Sequence, residues 1–262
     1  MASSTRQSTK AMQEKLHGQS GVDLKLAEEL FAIANALQTS AQLRSMLSDP
    51  SAETAGKDKV IDSVFAGASS TAKTLAKQAA GLRWSTSRDI AASFELNGVR
   101  AVASQSKALD ALQGELFEIQ QLVAKDSELE LTLSSTRFNS QAKQELIRKL
   151  LSGKASADAL ALASQAVFSR TYKRFAEVVE QYGLWIAEFA GESVAHVKVA
   201  KQMSTEQLNR LSSALAKAFG RELQLNVEVD PEIIGGVHVT VNGEVMDGTV
   251  LTKMVNARLQ LN

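Results

Sequence analysis

Two stretches of this chain carry the same apolar phase 86 residues apart, and that self-similarity constrains the fold more than any local propensity. Glu29, Leu30, Phe31 and Ile33 recur as Glu115, Leu116, Phe117 and Ile119. At the same offset Leu43 and Leu47 fall on Leu129 and Leu133, Lys57 and Ile61 on Lys143 and Ile147, and Gly67 on Gly153. One deletion later the offset is 85, and Thr86, Ala91 and Gly98 meet Thr171, Ala176 and Gly183. The expectation is one helical bundle built twice, over residues 1–105 and 106–190, with a shared long helix near 88–124.

Within each copy the spacing is that of helix. Val22, Leu26, Leu30, Ile33 and Leu37 recur every three or four residues and mark one buried face. The next segment is short and stops at Ser48-Asp49-Pro50, where serine or aspartate can cap and proline can begin a new helix. Val60, Ile61, Val64 and Phe65 form the stripe of the following helix, which Gly67 ends; further helices run over Thr71 to Ala80 and from about Thr86 onward. Only Pro50 and Pro231 interrupt the chain, and a composition of 44% hydrophobic but 5% aromatic residues suits helices packed through small side chains.

Near residue 193 the period changes from helical to alternating. Val197 and Val199 alternate with His196, Lys198 and Ala200 as a short strand. Ser204-Thr205-Glu206-Gln207 is a capping box ahead of a helix whose stripe is Leu208, Leu211, Leu215 and Phe219, with Gly220 as its stop. Leu223, Leu225, Val227 and Val229, then Val237, Val239 and Val241, make two half-buried strands. Asn242-Gly243 suits a two-residue hairpin turn, and Val250, Met254, Val255 and Leu259 close the chain as a helix. The fold class is therefore mainly α: two tandem helical bundles, then a small α/β domain of βαββα order over residues 191–262.

Catalysis finds little support. With 29 basic and 29 acidic residues the formal charge is zero, against a nucleic-acid binder that lives on counterion release. Cysteine is absent, which removes disulfides, thiolate metal sites and thiol nucleophiles together. His17, His196 and His238 have no metal-ligand spacing, and His238, between Val237 and Val239, is expected to face solvent. No nucleophile elbow occurs, and neither Gly56-Lys57-Asp58 nor Gly153-Lys154-Ala155 completes a phosphate loop. No cofactor or metal is expected. No stretch approaches the roughly 18 to 20 apolar residues that span a bilayer. Met1 to Lys10 is Ser/Thr-rich and free of acid, superficially like a transit peptide, but it runs straight into an amphipathic helix beginning at Ala11. Glu145 with Arg148 and Lys149 reads as a solvated helix face, and Trp84, Phe168, Trp185 and Phe189 as core. What remains is a scaffold that binds through helical grooves and a small sheet. An RNA-binding adaptor is the alternative, but the tail has neither a basic patch nor an aromatic platform.

One motif in the tail is specific: Asp230-Pro231-Glu232-Ile233-Ile234-Gly235-Gly236-Val237, an alternating strand, Gly243, then Val245-Met246-Asp247-Gly248-Thr249-Val250. It resembles the C-terminal signature of the delta subunit of the proton-translocating ATP synthase, called OSCP in mitochondria. In that family paired glycines followed by Ile or Val open a strand, and an Asp-Gly-Ser-Val-like step opens the last helix. Thr249 stands where serine is usual and Met254 near a usual leucine. Physics accounts for the same residues: Gly235 and Gly236 allow a backbone that a side chain would obstruct, and Asp247 can cap the final helix.

The chain is longer than a typical delta subunit by about one bundle and resembles the extended actinobacterial type. The resemblance implies a non-catalytic stator subunit. Its helical part would grip N-terminal helices of the alpha subunits, and its C-terminal unit would join the membrane-anchored b subunits. Nucleic acid would play no part, and membrane association would arise only through the complex, at the cytoplasmic face of a bacterial plasma membrane. With two helical copies, the resemblance assigns the grip on the alpha helices to neither one in particular.

Overall fold

The computed structural model describes residues 3–19, 21–170, 173–192, 194–219, 223–230, 236–241 and 244–247. Contacts group the chain into two compact units, residues 1–187 and 188–262.

The first unit is helical. After α1 (Ser3–His17) come α2 (Leu24–Thr39), α3 (Ala41–Ser48), α4 (Thr54–Val64), α5 (Ser70–Ala80) and α6 (Ser87–Gln105). Then follow α7 (Leu109–Lys125), α8 (Ser127–Ser134), α9 (Ser140–Leu151), α10 (Ala157–Ala166) and α11 (Phe175–Glu192). Helices α2, α3 and α5 end 86 residues before α7, α8 and α10. Local capping explains the starts: Asp23 accepts from the Leu26 amide, Ser40 from Leu43, Asp126 from Glu128 and Leu129, and Asn139 from Gln141. The predicted stripes are buried, with Leu26, Leu30, Ile33 and Leu37 in α2 and Leu112, Leu116, Ile119 and Val123 in α7.

Three expectations need correction. No single helix runs from 88 to 124, because α6 ends at Gln105 and α7 begins at Leu109. Ser106 caps α6 with its amide on the Val102 carbonyl and then turns to extended backbone, and Ala108 is also non-helical. Val64 is 52% exposed rather than part of the α4 stripe. The buried line of that helix runs through Lys57, Ile61 and Phe65 at intervals of four, which leaves Val64 on the flank. The Ser/Thr-rich start is a buried helix face: Thr5, Ser8 and Thr9 line up with Met12 and Leu16 on α1, which packs on α5 and α6. Thr5 Oγ1 donates to Asp89 and Ser8 Oγ to the Arg83 carbonyl, each at 2.5 Å.

The second unit is a sheet with one helix in the described residues: β1 (Val194–Val199), α12 (Thr205–Phe219), β2 (Gln224–Val229), β3 (Val237–Val241) and β4 (Glu244–Asp247). The strand order is β2-β1-β3-β4. β1 and β2 are parallel, joined through α12, while β1–β3 and β3–β4 are antiparallel. The capping box forms as read: Ser204 N donates to Gln207 Oε1 and Gln207 N to Ser204 Oγ. Alternation places Ala195, Val197, Val199, Val239 and Val241 in one core with Leu215 and Leu223. The expected βαββα order lacks a strand. Val241 pairs with Glu244, so only two residues separate β3 from β4, and the short run Glu244–Asp247 folds back along β3. Glu244-Val245-Met246-Asp247 sets two apolar residues side by side, so the run does not alternate and does not announce a strand. Gly220 and the expected final helix lie outside the described residues.

Candidate functional site

The tail motif is split in sequence and reunited in the sheet. Gly236 has φ +92°, a left-handed backbone that suits glycine, and it leads into Val237, the first residue of β3. Asp247 ends β4 and lies opposite His238, so both halves of the motif meet at one end of the β3–β4 hairpin. Gly235, Gly243, Gly248, Thr249 and Val250 lie outside the described residues, as does the helix that Asp247 was expected to cap. His238 is half-buried and pairs in register with Lys198, whose ammonium reaches Asp230 at 3.5 Å. Lys198, His238 and Thr240 alternate with the core residues Val197, Val199, Val239 and Val241 and so stand on the opposite face.

In the helical unit the functional geometry is a set of buried polar locks that the apolar pattern did not announce. Glu95 of α6 is fully buried and accepts from the Tyr182 hydroxyl of α11 and from Gln38 Nε2 of α2 at 3.1 Å. Tyr182 also stacks on Trp185, with ring centroids 5.6 Å apart. Asn35 of α2 and Gln165 of α10 exchange two amide hydrogen bonds, both 3.0 Å. Gln105 donates to Asp158 across the α6–α10 boundary. These locks fix α2 and α6 to α10 and α11, because each buried polar atom would lose its partner if the helices slid. A further lock starts α11: Glu130 accepts from the amides of Phe175 and Ala176.

A different polar contact, a glutamate on a capping serine, occurs twice. Glu29 accepts from Ser69 N and Oγ, and Ser69 Oγ in turn caps α5 at the Ala72 amide. Glu115 accepts from Ser156 N and Oγ, and Ser156 caps α10 at Ala159. Lys57 and Lys143 are both buried at matching positions but donate to carbonyls that do not match, Lys57 Nζ to Ala80 at the end of α5 at 2.7 Å and Lys143 Nζ to Leu133 in α8 at 2.8 Å. Desolvation pulls both lysines below their usual range; Asp49 partly offsets this for Lys57, and Arg170 adds to it for Lys143. The signal that could have found these groups was the repeat itself, since Lys57 and Lys143 fall together at the 86-residue offset while sitting on an otherwise apolar face.

None of this is a reaction centre. Burial, the Glu95 charge and the hydrogen bond to it push Tyr182 well up, so its hydroxyl stays protonated and serves as a donor. Among the described residues no three His, Asp or Glu side chains gather to hold a metal ion.

The sequence pattern that defines the ATP synthase delta (OSCP) subunit matches residues 98–261. ATP synthase subunit delta of Leifsonia xyli is 35% identical over 262 residues, covering 100% of this chain and 99% of that protein. The chain belongs to the ATP synthase delta (OSCP) family. Subunits of the same name from Nocardioides and Rhodococcus opacus are 34% and 35% identical, each over 90% of this chain and over 86% and 87% of their own lengths.

Membership makes the chain a non-catalytic subunit of an ATP synthase. No helix of the described residues is long and apolar enough to cross a membrane. The delta-family match begins at Gly98, inside α6, and takes in the second helical set and the sheet. Among the described residues, large exposed apolar side chains of the helical unit concentrate in that set: Phe117, Leu122, Leu131, Phe138, Leu146 and Leu184, against Val64 in the first. The contrast is sharpest at matched positions. Phe31 is 4% exposed and Phe117 61%.

Proposed function

We propose that this chain is the peripheral-stalk subunit that links the catalytic head to the membrane-anchored b subunits and resists rotor torque during proton-driven ATP synthesis. The observation that carries the reading is the full-length similarity to proteins named ATP synthase subunit delta. The helical unit grips N-terminal helices of alpha subunits, and the C-terminal sheet joins b. In this reading residues 1–105 and 106–190 are two copies of one bundle, followed by a third domain from 191. The repeated Glu–Ser caps and the burial of a lysine at matching positions support the duplication. The second copy is the better docking surface, because its large apolar side chains stand exposed where the first copy buries them. Gly235, Gly236, Val237, Gly243, Asp247, Gly248, Thr249 and Val250 shape the C-terminal domain at its b-facing end. The subunit sits peripherally at the cytoplasmic face of the plasma membrane, held there by the complex.

Torque resistance has a physical basis in the polar locks. Apolar contacts slide with little directional penalty, whereas Glu95–Tyr182 and Asn35–Gln165 have one register each. The experiment is affinity purification of the tagged full chain from its native host, followed by subunit identification. Recovery of alpha and b is expected. Recovery of RNA, or of the chain without any synthase subunit, would overturn the assignment.

A further inference from the structure

Charge is unevenly spread over the helical unit. Two clefts meet at Arg170. The larger, about 580 Å³, is lined by Arg44 of α3, Arg88 of α6 and Arg170, with Asp89. The smaller, about 220 Å³, is lined by Lys143, Arg170, Lys173 and Arg174 together with the hydroxyl residues Ser134, Thr136 and Ser169. Among the described residues they carry six cations and one carboxylate, on a chain whose basic and acidic residues number 29 each. That carboxylate is already engaged, since Asp89 accepts from Thr5 Oγ1 and from the Thr86 amide. Arg88, Arg170, Lys173 and Arg174 are exposed, and none forms an ion pair with another described residue. Arg44 is held at the wall by its hydrogen bonds to the Leu37 and Gln38 carbonyls.

Like charges gathered in a cleft repel one another and focus a positive potential, a cost that an arriving anion relieves. We propose that the joined clefts dock an acidic segment of a partner protein, whose carboxylates pair with Arg88, Arg170, Lys173 and Arg174. The proposal rests on the reading of the chain as a stalk subunit that grips partner helices, and it names the chemistry of what is gripped. A small anion would favour donors converging on one point. Here the cations run from α3 past the start of α6 to the start of α11, which matches a chain segment bearing several carboxylates. Arginine suits the role through bidentate pairing with carboxylates.

The test uses the full chain and a labelled amphipathic peptide of about 20 residues built from Glu, Leu and Ala, about 30 Å long as a helix, with a Glu→Gln counterpart. Fluorescence anisotropy should show binding of the acidic peptide alone, weakening about tenfold or more between roughly 50 and 300 mM salt. Arg170→Glu with Lys173→Glu should abolish it, while Arg170→Lys keeps it; both positions are exposed, so the circular dichroism melt should not move. Equal binding of both peptides, undiminished binding by the charge-reversed variant, or displacement by inorganic phosphate at lower concentration than the peptide would each overturn the proposal. In the purified native complex, a carbodiimide should couple Lys173 to a carboxylate of another subunit. If the chain co-purifies with the synthase while Lys173 stays uncoupled and the charge-reversed variant is recovered equally, the docking cleft falls and the stalk reading stands. If the chain never co-purifies with the synthase, the stalk reading falls and the peptide titration decides the cleft.

Discussion

Gly98 and Gly183 occupy matching places in α6 and α11, and one substitution should act with opposite sign at the two. A Cβ on Gly98 would stand 2.3 Å from Phe31 Cε1 and 2.5 Å from Cδ1, far inside the roughly 3.5 to 4.0 Å of a good carbon contact. Phe31 is 4% exposed, so its ring has no solvent to move into. Overpacking of this kind costs up to about 3 kcal/mol, and the alanine returns about 1 kcal/mol of helix propensity. Gly98→Ala should therefore destabilise by about 2 kcal/mol. At Gly183 an added Cβ meets nothing within 4 Å, so Gly183→Ala should stabilise by up to about 1 kcal/mol. The two variants should differ by about 3 kcal/mol, more than a hundredfold in the unfolding equilibrium. Urea titration followed by tryptophan fluorescence reads the helical unit selectively, because both tryptophans, Trp84 and Trp185, lie in it. Phe31→Leu combined with Gly98→Ala should recover part of the loss, as a double-mutant cycle. Shifts of equal sign and size at the two glycines, or no recovery in the double variant, would refute the close-contact reasoning.

Other perturbations address the locks and the sheet. Tyr182 is raised above its ordinary 10.0, so the folded protein keeps a proton that the unfolded chain loses, and stability should fall as pH rises past 10; Tyr182→Phe should flatten that fall while costing about 1 to 3 kcal/mol at neutral pH by removing one of the donors to the buried Glu95 carboxylate. Lys57 and Lys143 are lowered from 10.5, so at neutral pH they bear a desolvation penalty that lifts as pH climbs from their folded values toward 10.5. In Lys57→Met the part of that rise due to Lys57 should vanish from a pH series of denaturation midpoints. Gly236→Val forces a branched residue to positive φ and should cost about 1 to 3 kcal/mol, seen as faster amide exchange in β3 with α2 and α7 unchanged. Ser204→Ala should lower protection in the first turn of α12 by about 1 kcal/mol.

Local patterns in the sequence determined the elements. The three-and-four spacing of apolar residues marked α2 and its buried face, the switch to alternation marked the start of the sheet, and Ser204-Thr205-Glu206-Gln207 specified its own capping box. Each of these is set by neighbours within a few residues, so the chain states it directly. Phe31 and Phe117 show where that ends: they share the same local sequence, yet one is pressed on Gly98 and the other stands in solvent. A stripe says which face of a helix will be covered and nothing of what will cover it. The partners of Glu95 and Asn35 came from helices 57 to 130 residues away and that of Lys57 from the end of α5, 23 residues on, and the gathering of Arg44, Arg88 and Arg170 came from separate parts of the chain. Only the tertiary structure decided those, because burial of a polar group and the concentration of charge in a cleft depend on distances that no spacing along the chain encodes.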